Sequence, residues 1–135
     1  MVIVAPVDMT IARFDDIESW KLARDLTSRI YRASNEGPFR RDFSLRDQIQ
    51  RASVSIMANI AEGFGRNGKA EFNRFLTIAR SSAVELRSHL YVALDLGYIA
   101  TEQFEDLYQR SQSIENLICG LKRYLRSETA SESRT

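Results

Sequence analysis

The sequence holds only one cysteine and one histidine among 135 residues, and each scarcity excludes a kind of site or bond. With Cys119 alone, no disulfide can form within the chain, so a reducing, cytoplasmic location is expected. With His89 alone, one chain can build neither a Cys/His zinc site nor the repeated Glu–His motif of di-metal bundles. No apolar run approaches the length that crosses a bilayer, so no membrane partner is expected.

Net charge is also scarce, because 19 Lys and Arg nearly balance 18 Asp and Glu and leave +1. A chain so close to neutral is not a strong polyanion binder over its whole surface. Its cations are mostly arginine, which suits bidentate pairing with carboxylate or phosphate. Both surface or intersubunit ion pairs and phosphate binding therefore fit the arginine-rich segment from Gly37 to Arg87. The candidate nucleic-acid-binding residues in it are Arg40, Arg41, Arg46, Arg51, Arg66, Lys69 and Arg74.

Signals for catalysis are weak throughout. The glycines at 63, 65 and 68 match the spacing of a dinucleotide-binding turn, but the match follows a predicted helix rather than a strand. Glu85 and His89, four residues apart, are typical of a surface or interface pair, and Cys119 is typical of a packed, small apolar side chain. The sequence therefore predicts no catalytic residue, no metal and no cofactor.

Helical periodicity is abundant by contrast. Apolar residues recur at three- and four-residue spacing in four segments with capping signals between them. The predicted helices begin at Asp15 (with Glu18 completing a capping box), Ser44 (as N-cap), Lys69 and Thr101. The third ends near Leu96, and the fourth carries the most regular seam: Phe104, Leu107, Ser111, Ile114, Ile118, Leu121 and Leu125.

Short joins between four such helices predict an all-α, antiparallel up-down-up-down four-helix bundle. We assign residues 1–13 to a flexible N-terminal arm, 14–126 to the bundle and 127–135 to a disordered tail. The second helix has a second apolar stripe, formed by Val54, Met57, Ala58 and Ala61. Because one stripe suffices for an intramolecular core, the other is expected to meet another subunit.

The corner between the second and third helices is rich in glycine and phenylalanine. Gly63 and Gly65 are expected to reverse the chain through positive φ, and Gly68 to act as N-cap of the third helix. Two interpretations of the polar residues near this corner stay open. They belong to a well-capped helical hairpin, or they form a cluster that fixes a subunit contact or a ligand. The residues are Asn59, Glu62, Arg66, Arg80 and Glu85.

Several ordered motifs resemble one protein family. They are Phe14-x-x-Ile17-x-x-Trp20-Lys21-x-Ala23-x-x-Leu26, Arg51 to Ile56, Asn59 to Arg66, Glu71-Phe72-x-Arg74-Phe75-Leu76-x-Ile78-Ala79-Arg80, Glu85-Leu86 and Leu96 to Ile99. This pattern is similar to that of the four-helix bundle proteins encoded in intervening sequences of bacterial large-subunit (23S) ribosomal RNA genes. The similarity extends over nearly all of residues 14–126.

The resemblance implies a ring-like homopentamer. It also implies a relationship to the accessory variability determinant of diversity-generating retroelements, a basic barrel that binds a reverse transcriptase and nucleic acid. Two functions follow as expectations: a non-enzymatic oligomer that binds RNA or DNA weakly through its arginines, or a scaffold that docks a protein such as a reverse transcriptase.

Overall fold

The computed structural model describes residues 3–4 and 10–133, with side chains described for residues 11–128. Four helices account for most of this part of the chain, so the all-α prediction is confirmed. They are α1 (Glu18–Ser34), α2 (Phe43–Gly65), α3 (Lys69–Asp95) and α4 (Thr101–Ser133). A two-residue antiparallel ribbon, β1 (Ile3–Val4) with β2 (Thr10–Ile11), and 3-10 turns at Phe14–Asp16 and Gly37–Arg41 complete it.

Contacts between neighbouring helices give their directions. Thr27 and Ser34 of α1 hydrogen-bond Ser53 and Gln50 of α2, so a later residue on one helix meets an earlier one on the other. The same inverse order relates α2 to α3, α3 to α4, and α4 back to α1. The chain is therefore an up-down-up-down bundle with every neighbouring pair antiparallel.

The core is built from the stripes that the periodicity predicts. Every residue of the α4 seam is buried, from Phe104 to Leu125. It packs against buried side chains of the other three helices, among them Leu26, Ile56, Phe72 and Leu86. The seam therefore closes one continuous apolar core, with Ser111 as its polar member.

Two helix starts differ from the predictions. The helix α1 begins at Glu18 with Ile17 as N-cap, because the Asp16 carboxylate instead accepts the backbone N–H groups of Ala12 and Arg13 in the preceding 3-10 turn. The helix α2 begins at Phe43, because Asp42 rather than Ser44 is its N-cap and accepts the Leu45 N–H at 3.1 Å. At α2 a nearby carboxylate thus satisfies a free amide of the first turn, whereas the N-cap of α1 makes no side-chain hydrogen bond.

The chain reversal between α2 and α3 occurs at Gly68, which has φ of 110° and is the predicted N-cap of α3. The prediction of positive φ at Gly63 and Gly65 is wrong, because both lie within helix α2. Gly63 serves close packing instead: a Cβ there would lie 2.6 Å from the Phe75 Cβ.

Both predicted ends also differ from expectation where they are described. Ile11 is 5% exposed and belongs to the core, although we assigned it to a flexible arm. The backbone of α4 continues to Ser133, past the predicted start of a disordered tail at residue 127. No glycine or proline follows Gly120, so the sequence holds no strong helix stop there. Residues 1–2, 5–9 and 134–135 of the predicted arm and tail lie outside the described residues.

Candidate functional site

The structure divides the seven candidate nucleic-acid-binding residues into two groups. Arg40, Arg41, Arg46 and Arg51 lie at the start of α2, whereas Arg66, Lys69 and Arg74 lie beyond its end. The 23 residues of α2 span about 35 Å, so the groups occupy opposite ends of the bundle. The predicted residues do not form one continuous surface.

The group at the start of α2 is mostly uncompensated. Arg40, Arg41 and Arg51 are exposed, and none forms an ion pair within residues 11–128. Arg46 pairs with Asp47 at 3.3 Å, donates to the Arg40 carbonyl oxygen at 3.1 Å and lies 4.9 Å from the ring centroid of Phe43. These arginines form a small basic surface with one exposed aromatic ring.

The group beyond the end of α2 is neutralised locally. Arg66 donates to Glu62 at 2.9 Å, and Arg74 donates to Glu71 at 3.1 Å. Lys69 lies 3.9 Å from the Glu128 carboxylate. Since each cation already has a carboxylate, this end offers less attraction to a phosphate than the sequence indicates.

The five residues of the candidate polar cluster are not brought together. Asn59 donates to the Ser55 carbonyl oxygen at 2.8 Å, and Glu62 pairs with Arg66, the C-cap residue of the same helix. Glu85 pairs with His89 at 3.2 Å. Arg80 lies on another side of α3, where it contacts α4. Four separate sets of contacts replace the predicted cluster.

A buried ionic network between α3 and α4 has no counterpart in the sequence predictions, apart from Arg80. The Glu115 carboxylate accepts from Arg87 through one oxygen and from Arg80, at 3.0 Å, through the other. Arg87 also donates to Ser111 Oγ at 3.1 Å, and Ser111 donates to the Ala83 carbonyl oxygen at 3.0 Å. The side chains of Arg87 and Glu115 are each 10% exposed. One carboxylate thus serves two guanidinium groups and leaves an excess of positive charge.

This network makes the acid sensitivity of the fold predictable. Burial alone would raise the pKa of Glu115, but hydrogen bonds and attraction from Arg80 and Arg87 outweigh burial and lower it. Because the pKa of Glu115 is lower in the folded protein than in the unfolded chain, the ionised carboxylate stabilises the fold above the unfolded-state pKa of about 4.3. This stabilisation is lost as the pH falls through the folded-state pKa. We expect Glu115→Gln to flatten the decline of stability below about pH 4.3. Urea unfolding midpoints at pH 7 and pH 3 measure this, and an unchanged decline in the variant would contradict it.

Beside this network, toward the end of α4, a depression and further basic side chains lie along α3 and α4. Thr77, Arg80, Ser81 and Val84 line a cavity of about 330 Å³ on α3. Lys122 Nζ of α4 contacts Thr77 Oγ1. Burial first, then repulsion from Arg126 and Arg80, lowers the pKa of Lys122. Neither Lys122 nor Arg126 forms an ion pair with another residue of the part whose side chains are described.

Charges between α1 and α4 are balanced instead. Asp25 accepts from Arg29 at 2.8 Å and from Arg110 at 3.3 Å, and Asp106 lies 3.1 Å from Arg110 and 4.0 Å from Arg29. Hydrogen bonding from Arg29 lowers the pKa of Asp25. Two carboxylates and two guanidiniums close a ring of ion pairs with no residual charge, which joins the first and last helices.

The second stripe of α2 is used only in part by the bundle. Met57 packs against the core, with its sulfur 3.6 Å from Thr27 Oγ1. Val54 is 38% exposed, and Ala58 is also exposed. Tyr31 of α1, 39% exposed, lines a shallow depression together with Val54 and the polar residues Asp47, Gln50 and Arg51. An apolar patch consisting of Tyr31, Val54 and Ala58 therefore remains on the α1–α2 side.

Two features that the described residues lack bear on other functions. No group of three or more His, Cys, Asp or Glu among them is placed to hold a metal ion. None of their helices combines the length and apolarity needed to cross a membrane.

A family model described as 23S rRNA-intervening sequence protein matches residues 15–120. The chain belongs to this family. The match covers all of α1, α2 and α3 and most of α4, so it includes the apolar patch and the Arg80–Glu115–Arg87 network but not Lys122 and Arg126. The resemblance of the sequence motifs is thereby confirmed.

A solved structure supports the fold of this intervening-sequence family member. It is a crystal structure of a protein of unknown function from the S23 ribosomal protein family of Bacteroides thetaiotaomicron. The two chains share 27% identity with a TM-score of 0.71, over 77% of this chain and 97% of the other. No curated protein matches the chain. The comparisons give a family and a fold, and neither name states an activity.

Proposed function

We propose that this protein is a non-enzymatic, self-associating four-helix bundle that binds RNA or DNA weakly through basic parts of its surface. The observation that carries self-association is the apolar patch of Tyr31, Val54 and Ala58, which the bundle leaves uncovered. Contiguous apolar surface on a soluble protein is typical of an interaction site. A ring of five subunits is the assembly that the family resemblance implies, and the patch itself supports contact between copies without giving their number.

Nucleic-acid binding has a separate support. Arg40, Arg41 and Arg51 are exposed cations with no acidic partner within residues 11–128, where eight other arginines pair with a carboxylate. Uncompensated arginines are the groups that exchange counterions for phosphates, so the binding is expected to weaken steeply with salt. A cytoplasmic location remains a prediction from the single cysteine.

Self-association is tested by the solution mass of a double variant. We expect Val54→Glu with Ala58→Glu to lower the mass measured by light scattering from that of an oligomer to that of a 15.5 kDa monomer. The reason is that two buried, unpaired carboxylates at each contact would oppose association. Helix content by circular dichroism should stay unchanged, because both positions are exposed in the bundle.

Leu117→Glu is the matched control. Leu117 of α4 is 40% exposed, almost the same as Val54, but lies outside the patch. We expect it to keep the oligomer. A monomeric parent protein would contradict self-association, and dissociation by Leu117→Glu alone would move the contact to another face.

The second candidate is a scaffold that docks a protein such as a reverse transcriptase, without direct nucleic-acid binding. The observation in its favour is that several cations of this chain form ion pairs with carboxylates, as in Arg66–Glu62, Arg74–Glu71 and Lys69–Glu128. Free arginines at the start of α2 can meet carboxylates of a partner in the same way. Capture experiments that return only the protein itself would count against this candidate.

A further inference from the structure

The groove between α3 and α4 combines positive charge with exposed aromatic surface. Residues 77, 80, 84, 87 and 91 follow one another at three- and four-residue spacing, so they share the edge of α3 that meets α4. From Thr77 to Tyr91 this edge measures about 21 Å. We call it, together with Lys122 and Arg126, the α3–α4 groove.

Charge in the α3–α4 groove is strongly unbalanced for a chain with a net charge of +1. The groove contains four basic residues. Arg80 and Arg87 share the Glu115 carboxylate, and Lys122 is repelled by Arg80 and Arg126. Within residues 11–128, Glu115 is the one carboxylate that pairs with any of the four. The Glu115 carboxylate is itself nearly buried. The exposed charge of the groove is therefore cationic.

One end of the groove carries an open aromatic platform. The ring of Tyr91 is tilted against Phe104 with centroids 4.9 Å apart and meets Tyr108 edge-on at 5.8 Å. These contacts hold the ring in place, yet Tyr91 remains 50% exposed. Arg87, one helical turn away, lies 5.6 Å from the Tyr108 ring centroid. A fixed, half-exposed ring is suited to stacking with a flat, polarisable partner.

We infer that the α3–α4 groove binds single-stranded nucleic acid, with phosphates at Arg80, Lys122 and Arg126 and a base stacked on Tyr91. Cationic side chains that follow the backbone, together with aromatic rings that stack bases, are the two parts from which proteins build single-strand sites. A duplex hides its base faces, so it would use the cations but not the ring. This inference rests on the proposed nucleic-acid function and places the site on residues that, Arg80 apart, sequence reasoning did not select.

The groove and the apolar patch are separate surfaces of the bundle. The apolar patch lies on the α1–α2 side of an up-down-up-down bundle, and the groove lies between α3 and α4 on the opposite side. Contact made through the apolar patch of one subunit therefore does not itself cover the groove of that subunit.

Binding is measured with the full-length protein and short fluorescent oligonucleotides of RNA and of DNA, single-stranded and duplex, over a range of salt. We expect Lys122→Gln with Arg126→Gln to weaken single-strand binding about tenfold and to lower the salt slope by about 1.4, since each lost phosphate contact accounts for about 0.7. Tyr91→Leu should weaken single-strand binding and leave duplex binding unchanged, whereas Tyr91→Phe should keep both. Lys21→Gln with Arg24→Gln removes the same charge from α1 and should have little effect.

Cys119 supplies a second readout that needs no substitution. It is the chain's one cysteine, is partly exposed, lies between Glu115 and Lys122 on α4, and is close to Arg80 and Lys122. A bound strand should slow alkylation of Cys119 by N-ethylmaleimide several-fold. The rate with and without oligonucleotide at low salt measures this, independently of any effect of mutation on folding.

The outcomes separate the inference from the function on which it rests. Binding that is lost in Arg40→Gln with Arg41→Gln, but not in the groove variants, and that leaves Cys119 reactive would overturn the groove and keep the proposed function. No binding of any oligonucleotide at low salt would overturn both. Preferential binding of polyglutamate to the groove would overturn the nucleic-acid assignment in favour of an acidic protein partner.

Discussion

Replacing Glu115 by alanine is expected to destabilise the bundle by about 3–5 kcal/mol, the cost of removing one partner from a buried ion pair. The Arg87 side chain is 10% exposed and, once Glu115 is removed, keeps only Ser111 Oγ as a hydrogen-bond acceptor. A guanidinium cannot lose its proton to escape this environment, so it must remain charged and poorly solvated. The free energy of unfolding in urea, followed by circular dichroism, measures the effect.

Glu85→Ala is the matched control for the removal of Glu115. Glu85 also pairs with a basic side chain, His89, but its own side chain is 58% exposed. We expect a change within about 0.5 kcal/mol, as for other exposed helix pairs. A similarly small change in Glu115→Ala would show that Arg87 reaches water without its partner, and would contradict the buried network.

Replacing both partners separates the cost of an orphaned charge from the value of the pair. Arg87→Met with Glu115→Leu leaves no buried ion and fills a similar volume, so it should recover much of the stability lost in Glu115→Ala. Arg80, which is 52% exposed, loses its carboxylate in both variants and should turn to solvent at little cost. If the double variant is as unstable as the single one, packing rather than charge explains the loss.

The four helices follow from the sequence because apolar spacing reports directly on which side chains face the core. The α4 seam illustrates this, since each predicted position is buried. Helix starts were less predictable because several polar groups compete for the same free amides. Asp42 caps α2 in the structure, whereas the pattern favoured Ser44. Before α1 the Asp16 carboxylate binds amides of the preceding segment, and no side chain caps the helix, whereas the pattern favoured Asp15.

The candidate site was harder to predict than the fold because its parts are far apart in sequence. Arg87 and Glu115 are separated by 28 positions, and each follows an apolar core residue that dominates the pattern. One local signal existed: Ser111 interrupts an otherwise apolar seam, with Glu115 one turn later. A polar residue in a buried seam requires a partner, and searching the facing helix for opposite charge would have found Arg87.

Sequence proximity also misled the grouping of arginines. Arg51 and Arg66 look close in a list of basic residues, yet about 22 Å of helix separates them. Lys122 and Arg80, distant in sequence, act on each other across the α3–α4 groove. Charge clusters on a bundle are set by which helices are adjacent and antiparallel, so they become visible only when the contacts between helices are known.

Gly63→Ala is expected to destabilise the bundle by about 1–3 kcal/mol, although alanine is the better helix former by about 1 kcal/mol. The added Cβ would lie 2.6 Å from the Cβ of Phe75 and 3.1 Å from Cδ1 of Phe72. The first of these atoms is fixed to the backbone of α3, so relief requires the two helices to separate rather than a side chain to rotate. Denaturant midpoints of the purified variants measure the change.

Gly65→Ala, on the same helix, is the matched control, and we expect it to change stability in the opposite direction. No atom lies within 4 Å of the added Cβ, and Gly65 does not have positive φ. Alanine there should be neutral or stabilising by up to about 1 kcal/mol, since it reduces the freedom of the unfolded chain. Opposite signs at two glycines separated by one residue would show that Gly63 is needed for the close approach of α2 to α3. Equal stabilisation at both would show that the two helices can move apart without loss.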